Sequence, residues 1–160
     1  MRHNSYADVM PRRPTHSAAD FLPGKLDYRS LVNAAYGCEG CDLFKNATQT
    51  VFGEGDVNSH MMFVGEVPGD EEDLRGHPFV GPAGKLMERA FDEVGIDRTK
   101  IYLTNAVKHF KWKPRGKRRI HEKPRASEIM ACDPWLRSGT PNGGGASIRS
   151  FCRCRDRNRS

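Results

Sequence analysis

The fold class is decided by residues 60–104, which open with His60-Met61-Met62-Phe63-Val64-Gly65 and close with Ile101-Tyr102-Leu103-Thr104. Each of these runs is short and apolar, as expected of a buried strand in a parallel sheet. Between the runs, five apolar residues recur on one face of a helix, which Gly95 ends: Leu86, Met87, Ala90, Phe91 and Val94. Strand, helix and strand in this order predict a right-handed βαβ unit, and hence an α/β sheet.

The segments around this unit predict two further helices and two irregular termini. Residues 26–36 and 126–136 have helical spacing, the second with Ile129 and Trp135 facing inward. Residues 1–24 contain three prolines, and residues 137–160 contain three consecutive glycines and no periodic pattern, so we expect both to be disordered. That leaves residues 25–136 as one domain. Two strands make a very small sheet, so we expect the C-terminal half of this domain to be missing, and we interpret the tail as a frameshift product.

Composition excludes one class of protein and indicates a partner. The chain has 26 Lys and Arg against 20 Asp and Glu, and no apolar run of membrane-spanning length or signal-peptide type, which predicts a cytoplasmic protein. Nine basic residues and one acidic residue fall within residues 108–125, whereas the chain outside this segment and the tail is acidic. Such a concentration predicts a site that binds a polyanion; a solvated basic loop is the alternative.

The motif Cys38-Glu39-Gly40-Cys41 is compatible with a redox pair, half of a zinc site or half of an iron–sulfur site. It follows a predicted helix, unlike a thioredoxin motif. Five cysteines in a cytosolic protein favour metal ligands or free thiols over disulfides. A four-ligand site needs two more donors, and the candidates are His109, Cys132, Cys152 and Cys154. Spacing alone leaves zinc, iron–sulfur and no metal all open.

Two loops flank the predicted strand and helix where α/β proteins place their ligands. The first, residues 65–73, places Glu66 where a carboxylate stabilises a developing cation or orients a water molecule; an acidic turn without chemistry is the alternative. The second, residues 76–85, lacks the length and the Ser or Thr of a Walker loop, but its backbone amides suit a single phosphate. Phe79 in this loop is either a stacking platform or a core residue.

The basic segment peaks at Lys117-Arg118-Arg119-Ile120-His121. Its cationic side chains suit backbone phosphates, and Phe110 and Trp112 lie close enough in sequence to stack on bases. A histidine inside a phosphate-binding loop is better placed to meet a substrate than an isolated one.

Six blocks in this order resemble the uracil-DNA glycosylase superfamily in its iron–sulfur branch, and most of all the UdgX type. They span residues 38–136 and are C-x-x-C-x-L-F (38–44), GExPGDxED (65–73), PFVGPAG (78–84), TNAVKHF (104–110), KRRIH (117–121) and A-C-x-P-W-L (131–136). The KRRIH block distinguishes the UdgX type from its relatives. The resemblance implies a three-layer α/β/α fold with a short parallel sheet, a structural 4Fe-4S cluster and excision of uracil from DNA, including single-stranded DNA. We expect a monomer that does not associate with membranes.

The resemblance also implies a role for each matching position. Uracil would stack on Phe79 and hydrogen-bond Asn105, and Glu66 would assist attack at C1′ of the sugar. In the UdgX type the histidine at the position of His121 attacks C1′ itself and stays covalently joined to the DNA. The other implied residues are Gly65 and Val67 for uracil; Lys117, Arg118, Arg119, Gly81 and Gly84 for DNA; and Cys38, Cys41, His109 and Cys132 for the cluster.

Two departures from the family pattern bear on this assignment. Val67 occupies a position where the UdgX motif usually has Gln, which removes a polar contact near the substrate. A late H-P-S motif, whose histidine serves the active site in the family, does not occur in this sequence. The alternatives are a metal-stabilised nucleic-acid-binding fragment without excision activity, and a zinc module that uses Cys152 and Cys154.

Overall fold

The computed structural model describes residues 16–139, within which helices and strands alternate along the chain. In chain order they are α1 (Tyr28–Ala35), β1 (Glu54–Gly55), β2 (Met62–Gly65), α2 (Asp70–Arg75), α3 (Pro82–Val94), β3 (Tyr102–Asn105), β4 (Trp112–Arg115), β5 (Arg118–His121) and α4 (Ala126–Ser138). Short 3-10 helices cover Ala18–Phe21, Asp42–Lys45 and Arg98–Lys100. In this part of the chain, no helix has both the length and the apolar character needed to cross a bilayer.

A three-stranded sheet in the order β1-β3-β2 forms the centre of the fold. Strands β2 and β3 pair in parallel, from Met62 opposite Tyr102 to Gly65 opposite Asn105, whereas β1 pairs with β3 antiparallel. The predicted α/β sheet is confirmed. Because the parallel strands are in register, their carboxyl ends meet at one edge of the sheet.

Helices cover both faces of the sheet. Strand side chains alternate between the two faces, and both faces carry apolar side chains that need a packing partner. Val64 packs with Leu136 of α4 on one face, and Leu103 packs with Phe91 of α3 on the other. This arrangement is the α/β/α layering expected from the sequence. A third cluster joins α1 and α4 around Trp135, which is fully buried.

The helices start and stop close to the predicted positions, and their caps explain the differences. The Asp27 carboxylate accepts a hydrogen bond from the Ser30 backbone N–H at 3.0 Å, so α1 begins at Tyr28 rather than at residue 26. Helix α3 begins earlier than predicted because Pro82 occupies its first turn, and Gly95 ends it in a left-handed conformation with φ 71°. On its predicted inner face Phe91 is buried, while Leu86 and Val94 are exposed.

The basic segment forms an antiparallel hairpin, β4–β5, that periodicity did not predict. Trp112 pairs with His121 at its base, and Gly116 with φ 61° makes the turn. Charged side chains and Pro114 within β4 hide the strand pattern, since such residues are uncommon in strands.

The predicted disordered termini fall largely outside the described residues. Residues 1–15 and 140–160 lie there, including Cys152 and Cys154, so the expectations for them stay predictions. Residues 16–24 differ from the prediction, because the 3-10 helix Ala18–Phe21 is capped by Ser17 and packs against α4 with Ala18 buried. At the other end, α4 continues through Ser138 rather than stopping at residue 136.

Candidate active site at the carboxyl edge of the sheet

Gly65, Phe79 and Asn105 meet where β2 and β3 end, and we call these three residues the pocket wall because base binding is predicted for them. Gly65 is paired with Asn105 across the two strands, and the Asn105 side chain is buried. A Cβ atom at Gly65 would lie 2.1 Å from Asn105 Oδ1 and 3.1 Å from Phe79 Cζ. The structure therefore brings together three residues that the sequence assigned to uracil binding, and only glycine fits between the amide and the ring.

Phe79 presents its ring from a backbone that is unusual for a side chain of its size. Its φ is 58°, in the left-handed region, where a bulky residue is strained. The start of α3 is pressed against this turn, since a Cβ at Gly84 would lie 1.6 Å from the Phe79 carbonyl oxygen. Close packing under Phe79 thus explains the glycine at position 84, for which a contact with DNA is predicted. Gly81, also assigned to DNA, is the buried N-cap of α3.

Three acidic residues at this edge have different surroundings. Glu66 is partly exposed directly after β2, and its carbonyl accepts a hydrogen bond from the Val107 N–H at 3.2 Å. Glu72 in α2 is buried, which raises the pKa of its carboxyl group, and its Oε2 accepts a hydrogen bond from Asn105 Nδ2 at 3.5 Å. Asp73 is fully buried and accepts hydrogen bonds from the Thr48 backbone N–H. Sequence reasoning singled out Glu66 but missed Glu72 and Asp73, because consecutive acidic residues are typical of an exposed turn.

Val67 does not belong to the pocket wall. Its side chain is buried in the same apolar cluster as Cys38, Cys132 and Trp135. Valine here fills the core next to the cysteines, and the uracil contact at this position stays a prediction.

Arg119 has several partners within the chain. Its guanidinium lies 2.6 Å from Asp73 Oδ2 and 2.5 Å from Asp70 Oδ1, so it joins β5 to α2. It also lies over the rings of Phe110 and Trp112, 5.2 and 5.6 Å from their centroids. With both carboxylates and two rings around it, Arg119 holds the hairpin in place, and a phosphate contact at this residue stays a prediction.

The other two cations and the histidine of the KRRIH block are exposed, whereas Ile120 is half-buried. Lys117 and Arg118 are exposed at the tip of the hairpin, as a phosphate-binding role requires. His121 is exposed at its base, with its ring centroid 6.3 Å from that of Phe110. Strand β5 contacts α2, the helix that follows the Glu66 loop, so the hairpin lies on the same side of the fold as the pocket wall.

The three cysteines of the described chain converge behind this edge. Cys38 and Cys132 share one core cluster, with Cys41 packed against it, and all three are free thiols. Trp135 Nε1 donates a hydrogen bond to Cys38 Sγ at 3.1 Å. Burial raises the pKa of Cys132 to about 12; the charge of Lys108 acts in the opposite direction, and the other two thiols raise the pKa further. Sulfur donors in an apolar shell with an N–H donor suit an iron–sulfur cluster.

His109, the predicted fourth ligand, has another contact. Its Nε2 lies 2.9 Å from Thr50 Oγ1, and burial lowers the pKa of its imidazole to about 4, so the ring is neutral. Among residues 16–139, no three His, Cys, Asp or Glu side chains are placed to hold a metal ion. The three thiols share one apolar cluster, and sulfur is the donor that iron–sulfur clusters use, but as placed they do not form a ligand group. The imidazole is directed to a hydroxyl.

Lys108 is a further residue that sequence reasoning counted only as part of the basic segment. It is fully buried, and its Nζ donates hydrogen bonds to Thr104 Oγ1 at 2.6 Å and to the Asn105 carbonyl at 2.8 Å. Burial lowers the pKa of its amine to about 8. Lys108 therefore links the end of β3 to the region of Cys132, and it is not available to DNA.

Comparison with known proteins identifies the family to which the residues at this edge of the sheet belong. A family model described as the uracil DNA glycosylase superfamily matches residues 52–141. The type-4 uracil-DNA glycosylase of Saccharolobus solfataricus is 42% identical over 100 residues, which cover 62% of this chain and 43% of that relative. The type-4 uracil-DNA glycosylase of Pyrobaculum aerophilum is 37% identical over 111 residues, which cover 69% of this chain and 53% of that relative. The chain spans about half the length of the curated relatives that it matches.

The family match includes every element that builds the pocket wall. It runs from β1 through both parallel strands and the basic hairpin to the end of α4, and so contains Gly65, Phe79 and Asn105. More than half of the 160 residues fall within it. This chain belongs to the uracil DNA glycosylase superfamily.

Proposed function

We propose that this chain is a uracil-DNA glycosylase of the UdgX type, which excises uracil from DNA and remains covalently joined to the product. The observation that carries the proposal is the meeting of Gly65, Phe79 and Asn105 at the edge where β2 and β3 end. A ring beside a buried amide offers a flipped pyrimidine both stacking and hydrogen bonds. The relatives named type-4 uracil-DNA glycosylase support the substrate.

The proposed reaction uses His121 and Glu66. An imidazole nitrogen of His121 attacks C1′ of the deoxyuridine and forms a nitrogen–carbon bond, while the bond from C1′ to N1 of uracil breaks. Uracil leaves with that electron pair and takes a proton from solvent. The proton lost by the imidazole passes to Glu66 or to water, and the Glu66 carboxylate stabilises the positive charge that develops on the sugar. Exposure of His121 on a strand that contacts α2 is consistent with access to a DNA strand.

We also propose that Cys38, Cys41 and Cys132 hold a 4Fe-4S cluster, with His109 as the fourth ligand. Such a group would supply a structural link between the C-x-x-C loop and α4, which carry the first two and the last of these thiols. Convergence of the thiols supports three ligands, and release of the imidazole from Thr50 is required for the fourth. The accompanying proposals are a monomer that acts in the cytoplasm, with single-stranded DNA among its substrates.

The test is a covalent adduct on uracil-containing single-stranded DNA, resolved on a denaturing gel with the full, iron-loaded chain. We expect an adduct with the wild type and with His60→Ala, an exposed histidine at the opposite end of β2, and none with His121→Ala. Uracil release without an adduct would contradict the covalent step but keep the glycosylase. An adduct from His121→Ala would refute the nucleophile.

A non-catalytic nucleic-acid-binding fragment is the second candidate, and the exposed hairpin favours it. Arg115, Lys117 and Arg118 project from the tip as cations. Binding that depends steeply on salt concentration, with neither uracil release nor an adduct from folded protein, would support this function instead.

A further inference from the structure

Glu72 is a buried carboxylate that the proposed reaction does not use. It is 8% exposed, and it forms no ion pair with any Lys or Arg of residues 16–139. Burial raises the pKa of its carboxyl group, while the backbone N–H groups of Gly69 and Phe79 and the Asn105 amide act in the opposite direction. Burying a carboxylate without a cation costs free energy, so a role for Glu72 beside the pocket wall would explain why it is there.

The two oxygens of Glu72 have different partners. Oε1 faces the glycines of the two loops, since Cβ atoms at Gly69 and Gly81 would lie 3.8 and 3.9 Å from it. Oε2 accepts the hydrogen bond from Asn105 Nδ2. Oε2 thus contacts the side chain that ends β3, while Oε1 lies toward the two glycine loops.

This arrangement allows only one orientation of the Asn105 amide. With Nδ2 directed at Glu72, Oδ1 lies against Gly65 and beside the Phe79 ring. Turning the amide over would place Oδ1 against Oε2, and a carboxylate can only accept hydrogen bonds. Glu72 therefore decides which end of the amide faces the pocket.

We propose that Glu72 is a positioning residue that fixes the Asn105 amide in the orientation that selects uracil over cytosine. This inference rests on the proposed function. Uracil presents an N–H at N3, which donates to Asn105 Oδ1, and a carbonyl at C4, which accepts from Asn105 Nδ2. Cytosine presents an unprotonated N3 and an amino group, so both contacts are mismatched when the amide is fixed.

Glu72→Gln tests this proposal directly. Glutamine has the same shape as glutamate, but only one of its two terminal atoms is an oxygen that accepts hydrogen bonds. A glutamine that presents Nε2 to Asn105 cannot accept the hydrogen bond from Nδ2, so the Asn105 amide is no longer held in one orientation. We expect the second-order rate constant for single-turnover uracil excision to fall about 10- to 100-fold, as for the loss of paired hydrogen bonds to a base. Glu71→Gln is the matched control, because its neighbouring carboxylate pairs with Arg75 on the outside of α2 at 3.4 Å.

Inhibition by free bases separates positioning from a general loss of structure. In Glu72→Gln the inhibition constant of free uracil should rise about 10- to 100-fold while that of free cytosine stays equal or falls. A purely structural defect weakens both bases equally and lowers the melting temperature; that result would overturn the proposal, as would kinetics identical to those of Glu71→Gln. If the wild type itself releases no uracil, the proposed function fails, and this inference falls with it.

Discussion

Arg119 shows how a single side chain in a basic block can belong to the interior. It is enclosed by Asp70, Asp73 and the rings of Phe110 and Trp112, whereas Arg118 beside it is exposed. Strand alternation accounts for the difference, because adjacent residues of β5 face opposite sides of the hairpin. Identical residue types in one sequence block therefore have different physical roles.

Arg119→Ala is predicted to lower the free energy of unfolding by about 3–5 kcal/mol, because it leaves the buried Asp73 carboxylate without its cation. Chemical denaturation monitored by circular dichroism measures this loss. Arg118→Ala is the control, and it should weaken DNA binding while leaving stability within about 0.5 kcal/mol. Equal stability of the two variants would contradict an anchoring role for Arg119.

The burial of Glu72 predicts how the free energy of unfolding depends on pH. Because burial raises the pKa of its carboxyl group in the folded state, the folded chain holds this proton more tightly than the unfolded chain does. The resulting stabilisation is complete below the ordinary pKa of a glutamate and is lost as pH rises through the raised value. Relative to Glu72→Gln, the wild type should lose unfolding free energy over the pH range that begins at the ordinary pKa of a glutamate and extends above it.

Urea unfolding of both proteins across this range measures the difference. Glu71→Gln, which changes an outward carboxylate of the same helix, should follow the wild type. A constant difference between wild type and Glu72→Gln would contradict a raised pKa at Glu72.

At the scale of elements, the C-x-x-C loop depends on close contact with the first 3-10 helix. A Cβ at Gly40 would lie 2.5 Å from the Ala18 backbone nitrogen, so the two segments touch main chain to main chain. Gly40→Ala is predicted to lower the free energy of unfolding by about 1–3 kcal/mol, as expected for overpacking. Thermal denaturation measures it. Gly37→Ala is the control, since its Cβ would have no neighbour nearer than 3.8 Å, and a similar loss there would contradict the contact.

The elements that sequence predicted are those with a strong apolar pattern. The runs at residues 62–65 and 102–105 are strands, and α1, α3 and α4 are helices within a few residues of their expected bounds. Helix α2 was not foreseen, because Asp70–Arg75 has no apolar face, and its helix is stabilised by acidic residues in the first turn and by Arg119. Tertiary contacts of this kind leave no local signal.

Part of the candidate site could be predicted from the sequence, as part of the fold could. Parallel pairing required Gly65 and Asn105 to meet, so residues at the strand ends were predictable from order alone. The inward direction of Arg119, the packing of Val67 beside the cysteines and the burial of Lys108 depend on contacts between distant segments. No pattern along the chain distinguishes such a lysine or arginine from one that faces solvent.

At the scale of the whole molecule, the thiols connect the beginning and the end of the described chain. Cys38 and Cys41 follow α1, and Cys132 lies in α4, so a cluster bound to all three ties these segments together. Removal of iron by a chelator is predicted to lower the melting temperature, because binding of the cluster is linked to folding.

Tryptophan fluorescence reports the same event. Trp135 contacts Cys38 Sγ through its ring nitrogen, so a bound cluster would quench its emission and release of iron should restore it. Trp112→Phe leaves Trp135 as the only tryptophan of the chain and isolates the signal. A melting temperature and an emission unchanged by iron removal would contradict the cluster.

The left-handed backbone at Phe79 affects the thermodynamics of recognition. Holding a phenylalanine at φ 58° costs about 1–3 kcal/mol, and the start of α3 imposes that cost whenever the chain is folded. The ring is therefore already ordered when a base arrives, and little conformational entropy remains to be lost on contact. Under the proposed function, affinity for a flipped base would be gained in this way at the expense of a less stable fold.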